Sequence, residues 1–204
     1  LVGAGWQVFG ELLGRGVGER GVDCGHQKKG ARMPKWNASN AECVVHTFKK
    51  GLLAAVGHDL KIAVGDFEVA LEDGEVRARF DANSLRVLCA MKGGKERPGA
   101  LSADDCATID QRTRDEVLHG QKFPEILFRS TSARQVGTTW QVTGELTLHG
   151  TTRSLSAVAS ASGETLTCRI RLNQVDYGIR PFSALMGTLK VKPEVEVALR
   201  LPSV

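Results

Sequence analysis

No two cysteines in this chain are spaced to close a metal site, and no apolar run is long enough to cross a bilayer as a helix. The five cysteines, Cys24, Cys43, Cys89, Cys106 and Cys168, are odd in number, far apart and without a CxxC. A disulfide framework wants an even count, and a zinc site wants paired spacing. The thiols therefore read as small apolar core residues in a reducing compartment. A membrane-crossing helix needs about 20 consecutive apolar residues, and nothing approaches that length. Strong charge is missing too. The net charge is +4 over 204 residues, and half of that excess lies in the first 32, where five basic residues face three acids. Elsewhere the signs are interleaved, so no stripe exists to track phosphates and nucleic acid is not an expected partner. There is no G-x-S-x-G elbow, no phosphate-cradling glycine loop, and no H-x-H or HExxH spacing. Nucleophilic catalysis, nucleotide binding and a motif-borne metal site therefore find no support, and no cofactor is expected.

The opening "LVGAGWQVFGELLGRGVGERGVDCGHQKKGAR" is rich in glycine, and Glu11 and Arg15 break its apolar pieces. A secretory signal has a basic start followed by an unbroken apolar core, and neither occurs here in that order. "GVDC" is a poor acylation box because an aspartate precedes the cysteine. Met33 would make a natural start. Residues 1–35 are therefore expected to be a flexible or non-native segment, with 36–204 forming one domain. The expected location is cytoplasmic, or periplasmic if the N-terminus has been altered. Cys24 and His26 are possible metal ligands, but a disordered segment is the simpler expectation.

What is present is a period of two. In "TLKVKPEVEVALRLP", Leu189, Val191, Val195, Val197, Leu199 and Leu201 share one face, opposite Lys190, Lys192, Glu194, Glu196 and Arg200. "TLTCRIRLN" sets Leu166, Cys168, Ile170 and Leu172 against polar neighbours, and "VRARFDAN" does the same with Val76, Ala78, Phe80 and Ala82. One wet face and one dry face is the signature of antiparallel sheet. In "WQVTGELTLHGTTRSL", Trp140, Val142, Leu146 and Leu148 face in, and parity puts His149 on the polar side at a strand end. In "HDLKIAVGDFEVALEDGEV" the phase flips from Leu60, Ile62 and Val64 to Phe67, Val69 and Leu71, which predicts a bulge or bend at Gly65–Asp66. "EDGE" reads as a hairpin turn. Residues 103–119 read as one helix: Ser102 and Asp105 stand at capping-box spacing, Cys106, Ile109, Val117 and Leu118 form a stripe, and Gly120 and Pro124 stop it. "MKGGKERPGA" before it reads as a flexible loop.

The expected fold is all-β, an eight-stranded antiparallel lipocalin-like barrel with one helix (about 103–119) between strands, closed so that no sheet edge is exposed. The inner side of "SLSAVASASG" is Leu155, Ala157, Ala159 and Ala161. Methyl groups there leave room for a slender ligand unless Phe80, Phe128 or Trp140 fills it.

Four stretches in order carry a family resemblance: "GHDLKI" (57–62), "RDEVLHGQKFPEILFRSTS" (114–132), "VTGELTLHGTTRSLS" (142–156) and "NQVDYGIRPFSALMGTLKVKPEVEV" (173–197). Together, over about 41–202, the chain resembles the YceI-like proteins, whose barrels hold long apolar chains such as polyisoprenoid quinones. The resemblance implies a non-catalytic carrier of an isoprenoid, quinone-like or similar amphiphile, with a homodimer as one possible assembly. "GHDL" and "GIRPFSALMG" resemble a subgroup distinct from the best-known polyisoprenoid binders. Candidate ligand-contacting residues are Phe67, Phe80, Ile126, Phe128, Leu146, Leu148, Tyr177, Phe182 and His58. Tyr177 and Phe182 rank highest because they flank "GIRP", and His58 could hydrogen-bond a head group. Each could equally be plain core, or in His58 a partner for local backbone. The rival reading is an enzyme or stress protein that handles a metal or small molecule through His46, His58, His119 and His149. A barrel packed solid and acting through its surface is a third.

Overall fold

The computed structural model describes residues 34–50, 58–72, 74–184, 186 and 188–203. Residues 1–33, with Cys24 and His26, and Gly57 of the "GHDLKI" stretch lie outside the described residues. Among the described residues there are thirteen strands and one α-helix. The strands are β1 (Lys35–Asn37), β2 (Glu42–Lys50), β3 (Asp59–Val64), β4 (Phe67–Glu72), β5 (Glu75–Asp81), β6 (Leu85–Lys92), β7 (Lys95–Arg97), β8 (Glu125–Val136), β9 (Thr139–Leu148), β10 (Thr151–Ser162), β11 (Thr165–Asn173), β12 (Ser183–Ala184) and β13 (Leu189–Pro202). The helix is α1 (Ala103–Arg112). All strands belong to one antiparallel sheet in the order β1-β4-β5-β8-β9-β10-β11-β13-β2-β3-β6-β7, with β12 on β13.

This is a curled antiparallel sheet, a half-barrel, rather than the expected barrel of eight closed strands. The larger count has two sources. Three strands, β1, β7 and β12, are only two or three residues long. Two long stretches are each broken at a shared corner: β3 passes to β4 through Gly65–Asp66, and β5 passes to β6 through a 3₁₀ turn at Ala82–Ser84. Gly65 N–H donates to Ser84 O at 3.1 Å and Asp81 N–H donates to Asp66 O at 3.0 Å, so the two breaks are stitched together. The phase flip predicted at Gly65–Asp66 is that corner. The exposed edges that remain are β1 and β7, and three-residue strands offer little for another chain to pair with.

"EDGE" makes the expected turn, with Glu72 paired to Glu75 and Gly74 at φ +80°. "MKGGKERPGA" is corrected: Lys95–Arg97 folds back on β6, with Lys92 opposite Lys95 across Gly93–Gly94. Adjacent glycines at φ +59° and +75° supply the left-handed conformations of a two-residue hairpin turn, which outweighs the stretch's loop-like composition. The helix starts where its capping box requires. Ser102 Oγ accepts from Asp105 N–H at 3.1 Å, and Asp105 Oδ2 accepts from Ser102 N–H at 3.0 Å. It is α-helical to Arg112 and continues as a wider turn over Thr113–Val117, closed by Leu118 N–H on Thr113 O at 2.9 Å.

Apolar side chains from the concave faces form two clusters. One gathers Trp36, Cys43, Ile62, Val64, Phe67, Val69, Leu85 and Leu201, and the other gathers Leu146, Leu148, Tyr177 and Ile179. Outward faces carry cross-strand ion pairs such as Arg129–Glu75 at 3.0 Å and Arg169–Glu196 at 2.7 Å, exposed enough that each contributes little.

Candidate functional site

The inward rows of the sheet do not meet in the middle. They enclose a cavity of about 570 Å³, within the roughly 300–1,000 Å³ usual for small-molecule sites. β10 contributes Leu155, Ala157 and Ala159 to its wall, whereas Ala161 of the same expected row does not line it. Phe80, Phe128 and Trp140 also face the cavity without filling it. The wall is long as well as wide. β13 runs 14 residues and lines the cavity from Leu189 to Leu201; at ~3.3 Å per residue that strand is on the order of 45 Å long.

The two ends differ. At one, Trp36 Nε1–H donates to Pro202 O at 2.9 Å, and Trp36, Trp140, Leu201 and Ser203 line the wall. At the other, α1 and the turn after it line the cavity with Thr108, Ile109, Arg112, Thr113, Val117 and Leu118, joined by Leu101 just before the helix. Asp110 Oδ1 ties it to β6 by accepting from Val87 N–H at 2.7 Å. Around that opening stand Lys49, His58, Gln174, Phe182 and Lys190. They adjoin through the ladder: Val191 pairs with Lys49, Lys190 pairs with Ser183, and Val191 N–H donates to Phe182 O at 3.0 Å. Asp59 Oδ1 accepts from Lys49 N–H at 2.8 Å, which brings the start of β3 and its neighbour His58 to the same rim. Among the described residues no aspartate or glutamate lines the cavity.

Seven of the nine candidate residues line this cavity: His58, Phe80, Ile126, Phe128, Leu146, Leu148 and Phe182. Phe67 and Tyr177 do not. Phe67 stacks on Phe80 at 6.0 Å between ring centroids and is packed into the corner of the sheet. Tyr177 ends a 3₁₀ turn, Gln174–Tyr177, and is buried beside Leu146 and Leu148 rather than presented at an opening. That burial pushes its phenol up. Cys43 and Cys168 are on the wall, and burial raises their thiols to about 12 and about 11. Such thiols behave as small apolar groups.

The histidines divide. His119 Nδ1 and His149 Nε2 stand 3.0 Å apart, and the Phe123 ring lies 4.3 Å from the His149 ring. His149 is not the last residue of a strand, as parity alone placed it. It is the first residue of the two-residue turn after Leu148, at φ +52°, followed by Gly150 at φ +75°. His58 is at the rim, and His46 lies on β2 opposite Lys61. Among the described residues no group of three metal-ligating side chains forms.

Several rim and wall residues were not singled out from the sequence. Lys49 shares parity with Cys43, Val45 and Thr47 on β2, so its inward row was legible. Arg112, Gln174 and Trp36 reach the cavity from a helix end, a turn and a short edge strand, where no strand alternation points. The bulge in β8 also gave no signal. It lies between Ser130 and Ser132, and lets Ile126, Phe128 and then Ala133 all face inward.

A family model described as "YceI-like domain" matches residues 36–202. A UPF0312 protein of Pseudomonas putida strain W619 is 34% identical over 92 residues, which is 40% of this chain and 48% of that protein. The chain thus spans about half the length of the curated relatives it matches. Among solved structures, Burkholderia cenocepacia BcnA is similar with a TM-score of 0.54 at 13% identity, covering 80% of this chain and 96% of that one. That likeness shows the fold. A polyisoprenoid-binding domain from Saccharophagus degradans aligns with a TM-score of 0.46 at 11% identity, over 84% of this chain and 100% of that one.

Proposed function

Because the chain belongs to the YceI-like family, we propose that it is a non-catalytic carrier that holds a long-chain isoprenoid or similar amphiphile in its lumen. The observation that carries this reading is the apolar cavity of about 570 Å³ running between the tryptophan-lined end and the rim under α1. Each methylene transferred from water to such a wall contributes about 0.8 kcal/mol, so a chain of several isoprene units binds with few polar contacts. Phe80, Ile126, Phe128, Leu146 and Leu148 would contact the chain, and His58 and Phe182 would lie near its head. Catalysis is not part of the reading, because among the described residues no nucleophile–base hydrogen bond is formed in the cavity wall.

Native mass spectrometry of gently purified protein, followed by solvent extraction, tests the proposal. The expected result is a retained amphiphile that is lost in Ala159→Trp or Phe128→Trp, since an indole on either wall fills the lumen. The same spectra report whether the carrier is a homodimer. A bare chain mass accompanied by stoichiometric zinc or iron would overturn the reading and return His119 and His149 to the centre.

A further inference from the structure

The cavity wall is built in two ways. Most of it is sheet, where strands hold one another through ladders of backbone hydrogen bonds. α1 and the turn after it are not sheet, yet Thr108, Ile109, Arg112, Thr113, Val117 and Leu118 line the same cavity. No residue of α1 or of that turn is buried. Among the described residues, the hydrogen bond that joins this segment to the sheet is the one from Val87 N–H to Asp110 Oδ1, at 2.7 Å. A second contact sets the Arg112 guanidinium 5.6 Å from the centroid of the Phe182 ring.

The two ends of the segment are held differently. At its far end, Leu118 packs against both apolar clusters and Val117 against one. Gly120 is wedged at the corner of the sheet: a Cβ there would lie 2.2 Å from Asn83 Oδ1, and Asn83 Nδ2–H donates to Gly120 O at 3.3 Å. Ala82 N–H donates to Pro124 O at 2.8 Å, and His119 meets His149 at 3.0 Å. At its near end, residues 92–100 are exposed throughout, and Gly99 stands at φ +76° with open space around it. Neither Cys106 nor Ile109 of α1 belongs to either apolar cluster. Between the two ends lies the wide turn, Thr113–Val117, in which Leu118 N–H reaches back to Thr113 O. Turns of this kind are places where a helix bends.

From this asymmetry we propose that α1 is the lid of the lumen. It swings about Thr113–Val117, anchored beyond Leu118, and is latched by Asp110 on β6 and by Arg112 on Phe182. The proposal rests on the carrier reading and names the place where the ligand enters and leaves. Because α1 is part of the wall, moving it opens the lumen without breaking a strand ladder. Opening a segment with no buried residue and one tie to the sheet costs far less than parting two strands.

The test pairs hydrogen–deuterium exchange of the full chain, read by mass spectrometry, with stopped-flow binding of cis-parinaric acid, a fluorescent long-chain probe. Amides of α1 should exchange at least about tenfold faster than those of Leu118–Phe123 and of β9. Asp110 does not line the cavity. Asp110→Ala removes the latch, and should speed exchange in α1 by at least about another tenfold while leaving β9 unchanged. It should also speed probe uptake and release by a like factor, so that Kd stays within about twofold of the parent. Arg112→Gln, at an exposed position, should speed exchange in the same amides by about threefold. Exchange in α1 as slow as in β9, or an acceleration that spreads through the whole chain, would overturn the lid. So would probe rates that stay at the parent's while α1 exchanges faster, because the lumen is then entered elsewhere. Failure of the probe to bind folded protein would overturn the carrier reading, and exchange alone would still decide whether α1 moves.

Discussion

His149 occupies a backbone conformation that few residues other than glycine and asparagine accept, at φ +52° in a turn with Gly150. Its ring meets His119 at 3.0 Å, packs on Phe123 and hydrogen-bonds the Tyr177 backbone. In the neutral pair one ring nitrogen donates and the other accepts; protonating both sets two N–H groups face to face. Burial holds the His149 imidazole below its ordinary value of 6.5, and the neighbouring His119 and Lys122 push the same way against the Tyr177 hydrogen bond. With the folded value depressed, the unfolded chain binds the proton more readily. The contribution is therefore present above pH 6.5 and lost as pH falls through the folded value. The melting temperature should fall between pH 8 and pH 5.5, and His149→Asn should flatten that dependence while keeping the turn, since Asn-Gly suits it. Identical slopes for the two proteins would show that the pair carries no such linkage.

At the scale of elements, the crowded crossing of β8 and β9 decides how the wall curves. A Cβ added at Gly144 would lie 2.3 Å from Arg129 O and 2.7 Å from both Phe128 Cζ and Ser130 Cα. The bulge beside it buries Ser130, whose Oγ accepts from Val76 N–H at 2.8 Å. Gly144→Ala should therefore cost on the order of 1–3 kcal/mol in denaturant unfolding, because the β8 backbone against it must move. Gly163→Asn, at φ +58° with open space around it, should stay within about 0.5 kcal/mol of the parent. A neutral Gly144→Ala would mean that β8 and β9 separate more easily than their ladder implies. The same elements mark how far the sequence could be read. Alternation located the long strands β5, β9, β10, β11 and β13, the phase flip located the corner, and the capping box located α1, because each is a local pattern with a local physical cause. The wall residues on those strands followed from parity. The strand count, the bulge in β8 and the β6–β7 hairpin did not follow, since they depend on which backbone groups find partners across the sheet. The rim was least legible: Lys49, Arg112 and Phe182 are far apart in the chain and line one opening only once the sheet has curled. Tyr177 was misplaced because its 3₁₀ turn folds it under β9 instead of outward.

For the molecule as a whole, a hollow centre costs packing that a solid core would supply, and the proposed ligand would restore it. Cys43 on β2 and Cys168 on β11 both pair with Leu199 of the intervening strand β13, and both face the lumen. Their thiols, raised to about 12 and about 11 by burial, present almost no thiolate at pH 8. Cys89 and Cys106 are only half-buried. Alkylation at pH 8, read by peptide mapping, should reach Cys89 and Cys106 well before Cys43 and Cys168, and denaturant should erase the difference. A ligand that binds only the folded state stabilises it by about 2.7 kcal/mol at a hundredfold excess over its Kd. Saturating amphiphile should therefore slow alkylation of Cys43 and Cys168 further, by up to about a hundredfold where global opening limits the reaction. Cys43 reacting as fast as Cys89 in the free protein would mean that water and reagent enter the lumen freely. Unchanged protection on adding ligand would place the amphiphile outside the lumen, because occupying the lumen buries the surface these two thiols share.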